Sequence, residues 1–196
     1  MLVHVHGQIL NVSTMARSLE LSTTAVNNYL DILEGALMIH RLPPYYANVK
    51  KRLVKHPKLY LRNTGILHRL AGLRSESDLE TWIGRGSSFE GLVVEEMMNL
   101  ASLKLDSPRF SYWRTSAGAE VDLIVEVGRR LIPIEVKHGT TVSQYDLAGL
   151  RQCMKDLDLK RGYLVNRSEQ SEVIGRGIST LPWQDIVNNR NLPWDF

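Results

Sequence analysis

The chain has 196 residues, room for one large domain or two small ones, and its 43% apolar and 23% charged residues are enough to build a buried core. No apolar run approaches the roughly 18 residues of a membrane span, and the opening Met1-Leu2-Val3-His4 lacks the basic-then-apolar pattern of a secretion signal. The single cysteine, Cys153, excludes an internal disulfide framework and a Cys-rich zinc site, so a reducing, cytoplasmic setting without membrane contact is expected.

The net charge of +3 is unevenly spread. Residues 1–74 hold ten Lys and Arg against three Asp and Glu, whereas residues 75–196 hold fourteen against eighteen. No acid occurs between Glu34 and Glu76. A basic front joined to an acidic back implies two modules with different partners. The charge changes sign in a polar, Gly/Ser-rich stretch, so the expected division is a first module over 1–73, a linker over 74–87, interrupted by a short helical turn around Leu79-Trp82-Ile83, and a second module over 88–196.

In chain order, His4 and His6 fall in a start expected to be disordered. Met15, Ala16 and Leu19 mark a short helix; Leu21 turns the chain; Ser22 or Thr23 caps a second helix with Val26, Tyr29, Leu30 and Leu33 on one face, ending at Gly35. Leu37-Met38-Ile39 reads as a strand that Pro43-Pro44 breaks, and Arg52-Leu53-Val54 and Leu59-Tyr60-Leu61 return as a basic hairpin. Two helices followed by a hairpin is the pattern of a winged helix. Lys50, Lys51, Arg52 and Lys55 in its wing are candidates for phosphate contacts, and Asn27 and Asn28 on the second helix for base edges. Asp31 and Glu34 sit badly for that role, which leaves a protein-binding module as the alternative.

In the second module, Phe89, Leu92, Val93, Met97 and Leu100 mark a helix from about Ser88 to Leu103. Phe110 to Arg114, Ala119 to Val127 and Leu131 to Lys137 read as strands, with Gly128-Arg129-Arg130 turning between the last two. A helix bearing Leu147, Leu150, Met154 and Leu157 and strands at 162–165 and 178–181 follow. This α-β-β-β-α-β order predicts an α/β fold with a mixed sheet and helices on its faces. Glu135 and Lys137 share one face of their strand, and Ile134 and Val136 the other. Charges on so apolar a strand need partners; Asp122 on the preceding strand can supply one and Glu90 on the helix another. Converging carboxylates suit Mg²⁺, and a lysine beside them can hold a water against a phosphate. The alternative is an ion cluster that only ties strands together.

Asp122, then Glu135-Val136-Lys137, resembles the PD-(D/E)XK nuclease superfamily, without the proline, since Val121 precedes Asp122. The resemblance implies Glu90, Asp122 and Glu135 as metal ligands for Mg²⁺ and Lys137 as the residue that positions water. A second match, Asp158-Leu159-Lys160 with Asp146 before it, ends a helix and is set aside. Taken with Lys58-Leu59-Tyr60-Leu61-Arg62-Asn63, Phe89-Glu90-Gly91, Tyr112-Trp113-Arg114, Gly118-Ala119-Glu120-Val121-Asp122 and Leu181-Pro182-Trp183, the chain is similar to the C-terminal domain of unknown function of prokaryotic AAA-family ATPases. Asn63 departs from that pattern, where an aspartate is usual. The resemblance implies a winged helix plus a nuclease-like domain, with DNA and an upstream or separate ATPase domain as partners and an oligomer possible. No Gly-x-x-x-x-Gly-Lys-Ser/Thr occurs, so no ATP site of the P-loop type is expected in this chain. The competing expectation is a catalytically inactive docking module that binds DNA or a protein partner for an ATPase.

Overall fold

A computed structural model describes residues 1–45, 56–175 and 177–195, and among them the chain is a mixed α/β protein in two compact units. Met1–Pro43 and His56–Leu92 form the first; residues 44–45 and those from 93 onward form the second. The division therefore falls after Leu92, inside a helix. The stretch expected as a linker holds another helix, begun by a Ser75/Asp78 capping box.

The first unit starts with α1 (Leu2–Val5), β1 (Gln8–Ile9), α2 (Val12–Leu19) and α3 (Thr23–Gly35). The expectation of a disordered start is corrected. His6 is buried, and its Nδ1 accepts the Leu61 N–H at 3.0 Å while Nε2 lies 3.0 Å from the Ser87 carbonyl. These contacts fix a neutral ring with its proton on Nε2. Asn11 caps α2 and Ser22 caps α3, each side-chain oxygen accepting a backbone N–H at 3.0 Å. Val26 and Leu30 of α3 enter the core with Leu10, Met15, Ile39 and Leu61. Tyr29, expected there, is 57% exposed. Leu33 packs against the same core from its margin, so the buried face of α3 runs along Val26, Leu30 and Leu33 and leaves Tyr29 beside it.

β2 (Ile39–Leu42) begins later than expected, because Leu37 is left-handed at φ 58° and ends the turn after α3. β3 (Lys58–Leu61) lies between β1 and β2, antiparallel to both. Arg41 of β2 binds Glu34 through its backbone N–H at 2.8 Å and through Nε at 2.6 Å, and Asp31 at 2.7 Å. The two acids of α3 thus anchor the sheet. Arg52, Leu53 and Val54 of the expected hairpin lie outside the described residues. α4 (Thr64–Leu70), capped by Asn63, and α5 (Glu76–Thr81) complete this unit up to α6 (Arg85–Lys104).

The second unit is a five-stranded sheet in the order β4-β5-β6-β7-β8, from β4 (Arg109–Arg114), β5 (Glu120–Val127), β6 (Arg130–Val136), β7 (Gly162–Asn166) and β8 (Ile178–Pro182). The first three are antiparallel; β6, β7 and β8 run parallel, the crossover from β6 to β7 carrying α7 (Ala148–Asp156), and α8 (Trp183–Val187) follows β8. Val93, Val94, Met97 and Ala101 of α6 are buried, whereas Leu92, expected among them, is 38% exposed.

The pairing of β5 with β4 is interrupted at one point. Ser111 pairs with Ile124 but Trp113 pairs with Val121, so Tyr112 alone stands opposite Asp122 and Leu123. This bulge puts Val121 and Ile124 together in the cluster that packs on α7. Residues 121–125 are buried throughout.

Candidate functional site

The site is built where β5 and β6 part. Their ladder runs from Val127–Arg130 to Leu123–Ile134, and the next step along both strands sets Asp122 beside Glu135. There the backbone pairing gives way: the Val136 N–H donates 3.0 Å to Asp122 Oδ2, and the Lys137 N–H goes instead to the Val165 carbonyl at 2.9 Å. Asp122 and Glu135 are buried, with 5% and 6% exposure. Lys137 Nζ donates 2.6 Å to Glu135 Oε1 and is the member that reaches toward solvent.

Glu135 pairs in register with Leu164, whose side chain belongs to the α7-facing cluster, so the carboxylate points to the helix side of the sheet. Gly149 in the first turn of α7 makes that approach possible. A Cβ there would lie 2.2 Å from the Glu120 carbonyl oxygen, so only a glycine lets the helix seat against the start of β5. Burial works against the charge on Lys137, but attraction to Glu135, their hydrogen bond, and the further charges of Asp122 and Asp146 outweigh it and hold the ammonium above the ordinary lysine range. Burial pushes the Cys153 thiol up, with Asp156 and Glu135 adding to it, which leaves the thiol inert as a nucleophile.

Asp122, Glu135 and Lys137 are therefore brought together. Asp146 joins their electrostatic surroundings, although its motif copy was set aside. Its Oδ2 accepts from the Ser143 N–H at 2.8 Å and the Ser143 hydroxyl at 2.6 Å, which lowers its pKa, and Lys137 lowers it further. The signal for it was Ser143-x-x-Asp146 just ahead of a helix, a turn pattern rather than a catalytic one. Gln152 of α7 donates 2.7 Å to Asp156, one turn along the same helix. Glu120 pairs with Arg114 at 2.6 Å at the strand edge.

Glu90 is engaged within the first unit. Its Oε1 accepts from Tyr60 Oη at 2.6 Å and from Lys58 Nζ at 3.0 Å, and the Lys58 side chain is only 3% exposed. Gly91 beside it gives His6 room: a Cβ would lie 2.6 Å from the ring's Nε2. Among the described residues, no three His, Cys, Asp or Glu side chains form a group placed to hold a metal ion. The donor set that fits Mg²⁺ is the adjoining pair Asp122 and Glu135, because this ion binds through one or two carboxylates and keeps waters and substrate oxygens as its other ligands.

Asn27 and Asn28 are exposed on α3. Lys50, Lys51, Arg52 and Lys55 lie outside the described residues. No helix among the described residues is long and apolar enough to cross a membrane.

Two uncharacterized proteins, one from Mycobacterium bovis and one from Mycobacterium tuberculosis, are each 37% identical to this chain over 187 residues, 95% of its length. The chain spans 41% of the length of each. Residues 1–77 match a domain of unknown function (DUF8612). Residues 85–186, more than half of the chain and the part that contains Asp122, Glu135 and Lys137, match another, and the chain belongs to that family, the domain of unknown function DUF4143.

Proposed function

We propose that this chain is the nucleic-acid-binding part of a longer protein working with an AAA-type ATPase, and that its second unit carries a Mg²⁺-dependent phosphodiester hydrolase site of the PD-(D/E)XK type. The supporting observation is the pairing of two buried carboxylates, Asp122 and Glu135, with Lys137 at the opening between β5 and β6. In this reading Asp122 and Glu135 hold the ion, which when bound supplies charge stabilisation to the phosphate. Lys137, held against Glu135 at 2.6 Å, donates to the attacking water or a phosphate oxygen and orients it. Asp146 adds negative charge beside it. In the first unit, α2 and α3 together with the three-stranded sheet serve as a winged helix that presents the chain to its partner.

The test is cleavage of plasmid and single-stranded DNA with Mg²⁺ or Mn²⁺, comparing the parent with Asp122→Asn and Lys137→Ala. A loss of about 100-fold or more in both variants, with folding intact, supports the site. Absence of cleavage by the parent, or cleavage that survives both substitutions, overturns it.

A second reading, an inactive docking module, is favoured by one feature. α3 exposes Tyr29 and Ile32 and carries no Lys or Arg, a face suited to protein rather than to phosphate. DNA affinity that is unaffected by salt, by Lys50→Glu with Lys51→Glu, and by Asn27→Ala with Asn28→Ala would favour that reading over DNA contact.

A further inference from the structure

A hollow of about 410 Å³ lies within the second unit, on the sheet face opposite the candidate hydrolase site. Leu164 and Ile178 face α7, so Tyr163, Ser179 and Leu181, each one residue out of phase, face the other way and floor the hollow. Its outer wall is the segment that runs antiparallel along the outer edge of β8. There the Thr180 N–H donates 2.8 Å to the Glu172 carbonyl and the Ile174 N–H 2.8 Å to the Ile178 carbonyl. The Glu172 N–H donates 2.7 Å to Thr180 Oγ1. The wall is thus pinned through its backbone, and Val173 adds apolar surface to it. The volume falls within the roughly 300–1,000 Å³ of small-molecule sites.

Among the described residues that line the hollow, Arg161 and Glu172 carry charge, and they stand at opposite corners. The Gly162 N–H donates 2.9 Å to the Gly177 carbonyl, which sets Arg161 level with Gly177 on the β7 side of β8. Glu172 lies level with Thr180, on the other side of β8. The offset is three residues along the strands and two strand spacings across them, about 10 Å each way. Among the described residues, no hydrogen bond or ion pair engages either side chain, and both residues are exposed. A guanidinium forks onto a carboxylate, and a carboxylate accepts from an ammonium. The two corners therefore call for opposite charges on one ligand, and the floor between them calls for an apolar body. A ligand with a single sign of charge satisfies one corner and is repelled at the other.

We infer that this hollow binds a small zwitterion with an apolar body, an amino acid or a dipeptide bearing an aromatic or branched side chain. Its carboxylate sits on Arg161, its ammonium on Glu172, and its side chain against Tyr163, Val173 and Leu181. The inference stands on this one hollow and does not depend on the hydrolase reading.

Calorimetric titration of the full chain tests it with phenylalanine, the dipeptide leucyl-phenylalanine, and three analogues. Phenylpropionate lacks the ammonium, phenethylamine lacks the carboxylate, and glycine lacks the apolar body. Saturable binding of a zwitterion, about tenfold or more tighter than any analogue, is expected. Tighter binding of phenylalanine assigns the free amino acid, and tighter binding of the dipeptide assigns the peptide. Arg161→Ala is expected to weaken the zwitterion about tenfold and to leave phenethylamine unchanged. Glu172→Gln is expected to weaken the zwitterion about tenfold and to leave phenylpropionate no weaker. The inference is overturned if neither zwitterion binds saturably, if an analogue binds as tightly as the zwitterion, or if either variant leaves zwitterion affinity unchanged.

Discussion

Replacing Glu90 with alanine separates a structural carboxylate from a metal-binding one. Its Oε1 accepts from the Lys58 ammonium at 3.0 Å and the Tyr60 hydroxyl at 2.6 Å. The Lys58 side chain is 3% exposed and that of Glu90 19%. Removing one member of a buried ion pair leaves the other charge desolvated, a cost of about 3–5 kcal/mol; the partial exposure of Glu90 places this case near the lower end, about 3 kcal/mol. With a urea slope of about 2 kcal/mol per molar, the midpoint of the first unit's unfolding drops by about 1.5 M. The assay is a urea titration followed by circular dichroism and by the fluorescence of Trp82, which packs on that unit's core. The control is Lys58→Met combined with Glu90→Gln. It removes both charges and is expected to lie within about 1 kcal/mol of the parent. A loss below about 1 kcal/mol in Glu90→Ala, or a double variant as unstable as the sum of its singles, would refute the argument.

Two further outcomes follow from packing and proton linkage. Burial lowers the His6 pKa from 6.5 to about 4, so between those values the unfolded chain takes up a proton that the folded chain refuses. Stability therefore falls as pH drops through that window, by about 3 kcal/mol, and His6→Gln should flatten the slope; equal slopes for parent and variant would exclude His6 as the cause. Gly149→Ala places a Cβ 2.2 Å from the Glu120 oxygen and should cost about 1–3 kcal/mol, read as a lower melting temperature of the second unit; an unchanged melting temperature would show that α7 does not seat there.

Much of the second unit was legible because its signals are local. Period-two alternation, the turn at Gly128 and the apolar spacing of the helix after residue 147 each act within a few residues, and together they placed Asp122, Glu135 and Lys137 on neighbouring strands. The bulge was not legible, since it is a mismatch in count between β5 and β4 and exists only once the two strands pair. Glu90 shows the same limit. Its partners Lys58 and Tyr60 lie 32 and 30 residues away, and no spacing within α6 announces them. Ser22 could be read as a cap from its own neighbours, whereas the exposure of Tyr29 depends on where the core ends. His6 looked like part of a loose terminus because its burial comes from Leu61 and Ser87, residues far along the chain.

The hydrogen bond from the Val136 amide to Asp122 has a consequence for reading relatives of this chain. A carboxylate that completes a strand's backbone cannot be discarded when chemistry is lost, because a buried amide would be stranded. If the proposed hydrolase reading holds, a relative without that activity is therefore expected to retain this aspartate as masonry. The rim lysine props up no backbone, but its ammonium pairs the buried Glu135, so the two are expected to be kept or replaced together.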